Sequence, residues 1–410
     1  MITILCTGSL GDIQPYIGLA IELQNLGKAV RIAAGNSFAG FVKGYGVEHY
    51  PLSTDYKTID IDPKMIEAAQ NSTNPLKMLL TFNKMKKYAK FMVDEMYEAC
   101  RSSALIVWHP GCTIGYFAAL EMGIPSVLAA PFPLHETKEV ASVIAYGKTK
   151  LPLKTTYRLL QGMLWMASKT GVASFLKENE GRLPQDFGCP FERVDSIHPA
   201  IVSCSNFVFK RPDDWNGNIH QYGYWFIEEA TDYTPPVELA DFLSSGKKPV
   251  YFGFGSVFND GEKDRFVKTI IASLAATGER GIICGMRKPE NLPEYIFAID
   301  SIPHTWLFPQ CAAVCHHGGA GTSAAGFAAG VPSIIIPFSN DQFAWAHRAH
   351  DIGVGAKPIY KKQLSAESLT AAIRFALSDE IKKNAAALGR NIATENGAKD
   401  CAMVIAELLR

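Results

Sequence analysis

Residues 302–355 read IPHTWLFPQCAAVCHHGGAGTSAAGFAAGVPSIIIPFSNDQFAWAHRAHDIGVG, and the order of residue types in this stretch decides the fold. Ala312-Ala313-Val314-Cys315 is a short apolar run of strand type. It passes straight into His316-His317-Gly318-Gly319-Ala320-Gly321-Thr322 and a helix-like segment, Thr322 to Ala329. Strand, glycine-rich turn and helix start, in that order, build an anion site. Gly318, Gly319 and Gly321 remove side chains where the backbone must approach a ligand, and the unpaired N–H groups of a helix start face whatever sits there. A diphosphate fits such a place. Glycines alone would also serve a tight strand-to-helix turn, and short glycine motifs recur by chance. The surroundings favour the ligand.

Two adjacent histidines, the Thr322 hydroxyl and the pair Asp341-Gln342 converge on one loop-facing edge of this α/β unit. The pair follows Ser333-Ile334-Ile335-Ile336-Pro337-Phe338, so it stands just beyond the carboxyl end of the next strand, where open α/β sheets take ligands. A carboxylate accepts two hydroxyl hydrogen bonds while a neighbouring amide donates and accepts, a pairing suited to the vicinal hydroxyls of a hexose. Upstream, Pro303-His304-Thr305-Trp306-Leu307 offers an aromatic plane and polar edges for a base. Trp306 serves packing equally well.

The same rhythm extends through the chain. Ile2 to Cys6, Tyr16 to Leu26, Ala29 to Ala33, Ala104 to Trp108 and Ile114 to Met122 alternate strand-like and helical segments, as in a parallel βαβ sheet. Long helical patterns rich in Met, Phe, Tyr and Leu interrupt it between Asp62 and Ser102 and between Glu136 and Lys177. A polar stretch, Ile227 to Pro236, ends in two prolines as a linker would. A second α/β series follows, with strands at Pro249 to Phe254, Gly281 to Gly285, Ala312 to Cys315 and Ser333 to Pro337, and Ser378 to Arg410 is helical. Because 410 residues exceed what one core organises, the expectation is two α/β domains with parallel sheets, residues 1–230 and 237–390.

Composition narrows the function classes. Forty Lys and Arg cancel forty Asp and Glu, which argues against a nucleic-acid partner. Nine cysteines with no C-x-x-C pair fit a reducing compartment. Cys311 and Cys315 stand four apart, but Cys315 lies in an apolar strand run and no metal site is read there. The amino terminus, Met1-Ile2-Thr3-Ile4-Leu5-Cys6, lacks a basic n-region and is read as a first strand rather than a signal peptide. No run of 18 apolar residues suggests a membrane span. The expected location is the cytoplasm. A nicotinamide dinucleotide is excluded twice. Gly8-Ser9-Leu10-Gly11-Asp12 lacks the G-x-G-x-x-G spacing, and Arg31-Ile32-Ala33-Ala34-Gly35 ends without an acid for a ribose.

The stretch PHTWLFPQCAAVCHHGGAGTSAAGFAAGVPSIIIPFSNDQ resembles the donor-binding signature of family 1 glycosyltransferases, in the branch of sterol glucosyltransferases and bacterial antibiotic glycosyltransferases, with the sterol type nearest. Gly8-Ser9-Leu10-Gly11-Asp12-Ile13-Gln14-Pro15 and Val250-Tyr251-Phe252-Gly253-Phe254-Gly255-Ser256-Val257 resemble that branch's other motifs, in the same order and spacing. The resemblance implies the GT-B fold: two Rossmann-like α/β/α domains with parallel sheets facing across a cleft, and a last segment, residues 391–410, packed back on the amino-terminal domain. It implies inverting transfer of glucose from UDP-glucose to a hydroxyl of a lipophilic small molecule such as a sterol or triterpene. UDP-glucose is then a co-substrate, with no cofactor and no metal, and no Asp-x-Asp pair stands where magnesium would be held.

The same resemblance implies Asp12 as the catalytic base, and Ser9, Gly11, Gly255, Ser256, Ile302, His304, His316, His317, Gly318, Ala320, Gly321, Thr322, Asp341 and Gln342 as donor-binding residues. The alternative for Asp12 is a cap on a helix entered at Pro15. Pro15 suits a helix start and leaves Asp12 in the turn before it. Leu10 stands where the branch usually has arginine. N–H groups at Ala320, Gly321 and Thr322, with His317 or His316, would stabilise a departing diphosphate; on the sterol-type pattern His317 faces phosphate and His316 is buried. Met78, Leu79, Leu80, Phe82, Phe91, Met92, Met96, Tyr157, Leu160, Met163, Leu164 and Trp165 read first as core and second as an acceptor pocket. Lys84-Met85-Lys86-Lys87 and the set Lys148, Lys150, Lys154 and Arg158 read as solvated faces or as weak peripheral contact with an anionic membrane. Two rival readings share the fold: a UDP-sugar epimerase, which needs no acceptor pocket, and a non-catalytic nucleotide-sugar-binding protein.

Overall fold

A computed structural model describes residues 1–53, 86–147, 149–227, 233–255, 260–286, 291–339 and 341–410. Ser256, Met78, Leu79, Leu80, Phe82, Lys84, Met85 and Lys148 lie outside the described residues. The chain forms two compact units, Met1–Ile227 with Glu395–Arg410, and Glu228–Thr394.

In the first unit, strands β1 (Ile2–Leu5), β2 (Val30–Gly35), β3 (Glu48–Leu52), β4 (Leu105–Trp108), β5 (Ser126–Ala130), β6 (Ala200–Val202) and β7 (Ile219–Gln221) form one sheet in the order 3-2-1-4-5-6-7. Every pairing is parallel. Strands in such a sheet are covered on both faces and read as continuous apolar runs rather than alternating ones; β1, β4 and β5 are buried at every residue. Pro51 in β3 cannot donate to a ladder, and β3 lies at the edge of the sheet, where that omission is tolerated. The helices of this unit are α1 (Leu10–Asn25), α2 (Ala39–Gly44), α3 (Lys86–Cys100), α4 (Ile114–Met122) and α5 (Leu153–Glu180).

In the second unit, β8 (Val250–Gly253), β9 (Gly281–Cys284), β10 (Ile296–Ile299), β11 (Ala313–His316) and β12 (Ser333–Ile335) form a parallel sheet in the order 10-9-8-11-12. With it go α6 (Val237–Ser244), α7 (Asp260–Thr277), α8 (His304–Leu307), α9 (Ala320–Ala328), α10 (Gln342–Asp351), α11 (Ala366–Ala376) and α12 (Asp379–Ile392). The last helix, α13 (Gly397–Glu407), belongs to the first unit, where Cys401, Ala402 and Ile405 join the core that holds Leu19, Ala20 and Leu23 of α1. The Trp225 indole donates to Cys401 Sγ at 3.2 Å and fixes that docking.

Several elements differ from the sequence reading. α1 begins at Leu10, not at Pro15, so Pro15 lies inside the helix and Asp12 is its third residue. The proline is tolerated because the acceptor it fails to serve, the Gly11 carbonyl, belongs to an exposed residue in the first turn. The pattern from Glu136 to Lys177 becomes helix only at Leu153, after the turns and the proline at 152. β10 was not among the expected strands; three of its four residues are only half-buried, which weakens its apolar signal.

α1 also shows how tightly the returning chain is packed. A Cβ on Gly18 would meet the Phe226 carbonyl oxygen at 2.8 Å and that of Trp225 at 3.1 Å. Gly to Ala inside a helix ordinarily stabilises by roughly 0.5–1 kcal/mol. Here the obstacle is backbone and cannot rotate away, and overpacking of this kind costs about 1–3 kcal/mol. Gly18→Ala is therefore expected to lower the urea midpoint of the first unit. A raised midpoint would show that the crossing is looser than described.

Candidate functional site

Both sheets reverse direction once. In the first, the chain builds outward from β1 through β2 to β3, then returns to place β4 on the other side of β1. In the second, β9 and β10 extend one way from β8, and β11 lies on its other side. Loops leaving two strands on either side of such a reversal diverge and open a crevice at the strands' carboxyl ends. The residues singled out from sequence stand at these two places.

At the first, the chain leaves β1 through Gly8, whose φ of +130° is one that other residues rarely adopt. Ser9 is the N-cap of α1, and Asp12 reaches back to it: Asp12 Oδ2 accepts from the Ser9 N–H at 2.7 Å and from the Ser9 hydroxyl at 2.8 Å. The third residue of the helix thus satisfies the N-cap amide, one half of a capping box, while the Ser9 hydroxyl donates to the same carboxylate instead of accepting from the Asp12 N–H. A Cβ on Gly8 would stand 2.4 Å from Asp12 Oδ2, so only glycine leaves room for the carboxylate to fold over the turn. Asp12 thus braces the cap from inside the helix and is not, as the alternative reading had it, the cap of a helix entered at Pro15; it is only partly buried and keeps its second oxygen outside the Ser9 bonds. Gly11 and Leu10 are exposed beside it.

On the other side of the reversal, His109 follows the end of β4, and its N–H donates to the Leu5 carbonyl of β1 at 2.9 Å. Its Nδ1 accepts from the Gly111 N–H at 3.1 Å, which puts the proton of the neutral ring on Nε2. Burial lowers the His109 pKa, and the nearby Asp12 carboxylate works against that shift. His109 was not among the residues singled out from sequence. His109-Pro110-Gly111 carries no motif, and only the pairing of β4 with β1 brings it to Asp12.

In the second unit, β11 ends in His316, which is wholly buried. Its Nδ1 accepts from the Gly318 N–H at 3.0 Å, and its Nε2 has no hydrogen-bond partner among the described residues. Nδ1 of His317 is likewise buried without one. Gly318 has a φ of +91°, and a Cβ there would meet Ile335 Cγ2 at 2.6 Å and the Gln342 carbonyl oxygen at 3.1 Å. That close approach brings the turn and the start of α10 together. Gly319 is the N-cap of α9, and Ala320, Gly321 and Thr322 are its first three residues, so their N–H groups lack intrahelical acceptors.

Asp341 is the N-cap of α10, and its Oδ2 accepts from the Trp345 indole at 2.8 Å. Gln342 corrects the sequence expectation. Its Oε1 accepts from the N–H groups of Phe338 and Ser339 at 2.8 and 3.1 Å. Both lone pairs are thus occupied, and the side chain offers a ligand only its NH₂ group. His304 stacks on Phe308 with ring centroids 4.4 Å apart, and its Nε2 lies 3.1 Å from the Tyr251 hydroxyl. Ile302 is buried with Tyr251 and Leu307, which leaves its backbone as the part able to meet a ligand. Trp306 packs against Tyr233 and the same core. Gly255 follows β8 at a φ of +57° and is exposed, while Ser256 next to it falls outside the described residues. Among the residues read as core or pocket, Met96, Tyr157, Leu160 and Trp165 are buried and Phe91 is exposed. No group of three or more His, Cys, Asp or Glu able to hold a metal occurs among the described residues.

This geometry can be set beside known proteins. Residues 2–138 match the glycosyltransferase family 28 N-terminal domain, and residues 271–409 match the erythromycin biosynthesis protein CIII-like C-terminal domain. The chain belongs to the GT-B glycosyltransferases. Within that family it is 33% identical, over 97% of its length, to sterol 3-beta-glucosyltransferase UGT80B1 of Arabidopsis thaliana, and 31% identical to a sterol 3-beta-glucosyltransferase of Yarrowia lipolytica. It spans 66% of the first relative's length and 28% of the second's. Solved structures similar in fold include the glycotransferase of kitacinnamycin, at a TM-score of 0.74 and 18% identity, covering 100% of this chain and 98% of the other. The calicheamicin glycosyltransferase CalG4 follows at 0.71 and 19%, with the same coverage.

Burial holds His304, His316 and His317 neutral. It pushes His304 and His317 down to about 4 and His316 well below its ordinary value, and His317 adds to the lowering of the other two. Between about 4 and the ordinary 6.5 the unfolded chain therefore binds more protons than the folded one. Their stabilising contribution is complete above that window and is lost as pH falls through it. The urea midpoint of the second unit should drop between pH 7.5 and pH 5, and His317→Gln should shrink the drop. An unchanged pH dependence in the variant would contradict the burial of a neutral His317.

Proposed function

We propose that this chain transfers glucose from UDP-glucose to the hydroxyl of a lipophilic small molecule of sterol or triterpene type, with inversion and without a metal. The observation that carries the reading is the paired use of sheet reversals: a cap-anchored carboxylate at one, a glycine-lined helix start with unpartnered histidine nitrogens at the other. Likeness to sterol 3-beta-glucosyltransferases over 97% of the chain supports the acceptor class.

In this reading Asp12 is the base. Its Oδ2 is held by Ser9, and its other oxygen takes the acceptor proton as the hydroxyl oxygen attacks the anomeric carbon. The bond to the diphosphate breaks on the opposite face. The leaving group's charge meets the N–H groups of Ala320, Gly321 and Thr322 and a neutral His317 or His316, with Ser256 and Gly255 at the facing turn. Asp341 accepts from sugar hydroxyls and Gln342 donates to one. Ser9 and Gly11 shape the turn beside the donor, and His304 and the Ile302 backbone border the base. The nine free cysteines accord with a reducing compartment such as the cytoplasm. A lipophilic acceptor also gives peripheral membrane contact a purpose.

Purified protein with UDP-glucose and EDTA should release UDP only when a sterol, triterpene or similar alcohol is added, with a hexose-sized mass gain on that alcohol. UDP release that needs no acceptor would count against transfer, and absence of donor binding would remove the donor assignment. Asp12→Asn keeps an amide oxygen for the Ser9 N–H but cannot take a proton. Its turnover should fall by at least ~100-fold with donor affinity nearly kept; equal turnover would show that another group is the base.

A further inference from the structure

The protein has no net charge, yet one continuous stretch is strongly one-sided. From Val140 to Lys177, 38 residues contain Lys148, Lys150, Lys154, Arg158, Lys169 and Lys177 and not one Asp or Glu. Most of this stretch is α5. Leu159 and Met166 are exposed at 48% and 56%, and a spacing of seven sets them on one face of the helix. Leu151, at 49%, and Ile144, at 39%, extend the exposed apolar residues upstream of the helix. Lys150, Arg158, Lys169 and Lys177 are exposed as well. Glu136, from outside the stretch, takes Arg158 at 2.6 Å and Lys154 at 3.9 Å. It accounts for one of the six positive charges, and Glu178 and Glu180, which close α5, offset two more, so that an excess of three remains.

An apolar ridge alone would leave its occupant open. This one lies in a stretch of net positive charge whose only acids, Glu178 and Glu180, stand at the far end of α5 from Ile144 and Leu151, and that combination suits a negatively charged lipid surface: Leu and Met side chains enter the headgroup region while Lys and Arg stay at the phosphates. A second copy of the same face is disfavoured, because it would set like charges against each other.

We propose that the exposed face of α5, with Ile144 and Leu151, docks the protein on membranes rich in anionic lipid. This deepens the reading of a lipophilic acceptor and rests on it for its purpose, but it fails separately, since binding to vesicles needs no turnover. No helix among the described residues is long and apolar enough to cross a membrane, so the contact is interfacial.

The test is sedimentation of the full chain with vesicles of phosphatidylcholine alone or with about a third phosphatidylserine, where each cation near the surface contributes roughly tenfold or less to partition. The wild type should pellet with the anionic vesicles at low salt and be released by high salt. Lys150→Glu with Lys169→Glu, and separately Leu159→Gln with Met166→Gln, should each reduce partition about tenfold or more. Turnover on an acceptor dispersed in neutral detergent should stay unchanged, which also reports that the variants fold. Equal pelleting with both vesicle types, or variants that pellet like wild type, would overturn the proposal. So would self-association abolished by the Leu159 and Met166 changes without any vesicle binding. Vesicle binding without transferase activity would leave this proposal standing and the functional reading fallen.

Discussion

The constraint on which the site depends is the single reversal of strand order in each parallel sheet. Parallel strands need long return connections, so helices cover both faces and the loops leaving the strands' carboxyl ends are the places free to bind. Where the order reverses, adjacent loops part instead of packing together. Asp12 and His109 flank the reversal at β1 and β4, and Gly255 and the His316–Thr322 turn flank that at β8 and β11. None of these residues need be special in composition; the topology puts them where a ligand can reach.

Glycine then decides what can approach. Gly8 lets a carboxylate close over its own turn, and Gly318 lets α10 come up against the end of β11. Both also occupy positive φ angles. A methyl group at either position would collide with those neighbours and push them apart. Electrostatically the second site relies on dipoles. Its three histidines are neutral through burial. A diphosphate there would meet helix N–H groups and uncharged ring N–H donors, already oriented.

Much of this was legible in the chain itself. The apolar runs of the β1, β4, β8, β11 and β12 segments, the glycine turn and the Asp341-Gln342 pair each carry a local signal. What escaped was set by contacts distant in sequence. His109 is unremarkable until β4 pairs with β1. The start of α1 was misread because Pro15 looks like a first helical residue, while the real start is set by the Ser9–Asp12 cap, a signal of two residues three positions apart with aspartate where glutamate is more usual. Gln342 looked free to donate and accept because nothing in sequence shows that two neighbouring N–H groups already fill its oxygen.

The central claim is a single displacement, with the acceptor activated at the Asp12 turn and the diphosphate held at the α9 start. Proton NMR of the anomeric centre in the product formed from UDP-α-glucose tests it most directly. The account predicts a β-linked glucoside, inverted from the donor. An α-linked product would contradict it, because retention requires either a covalent intermediate or attack from the leaving group's own face.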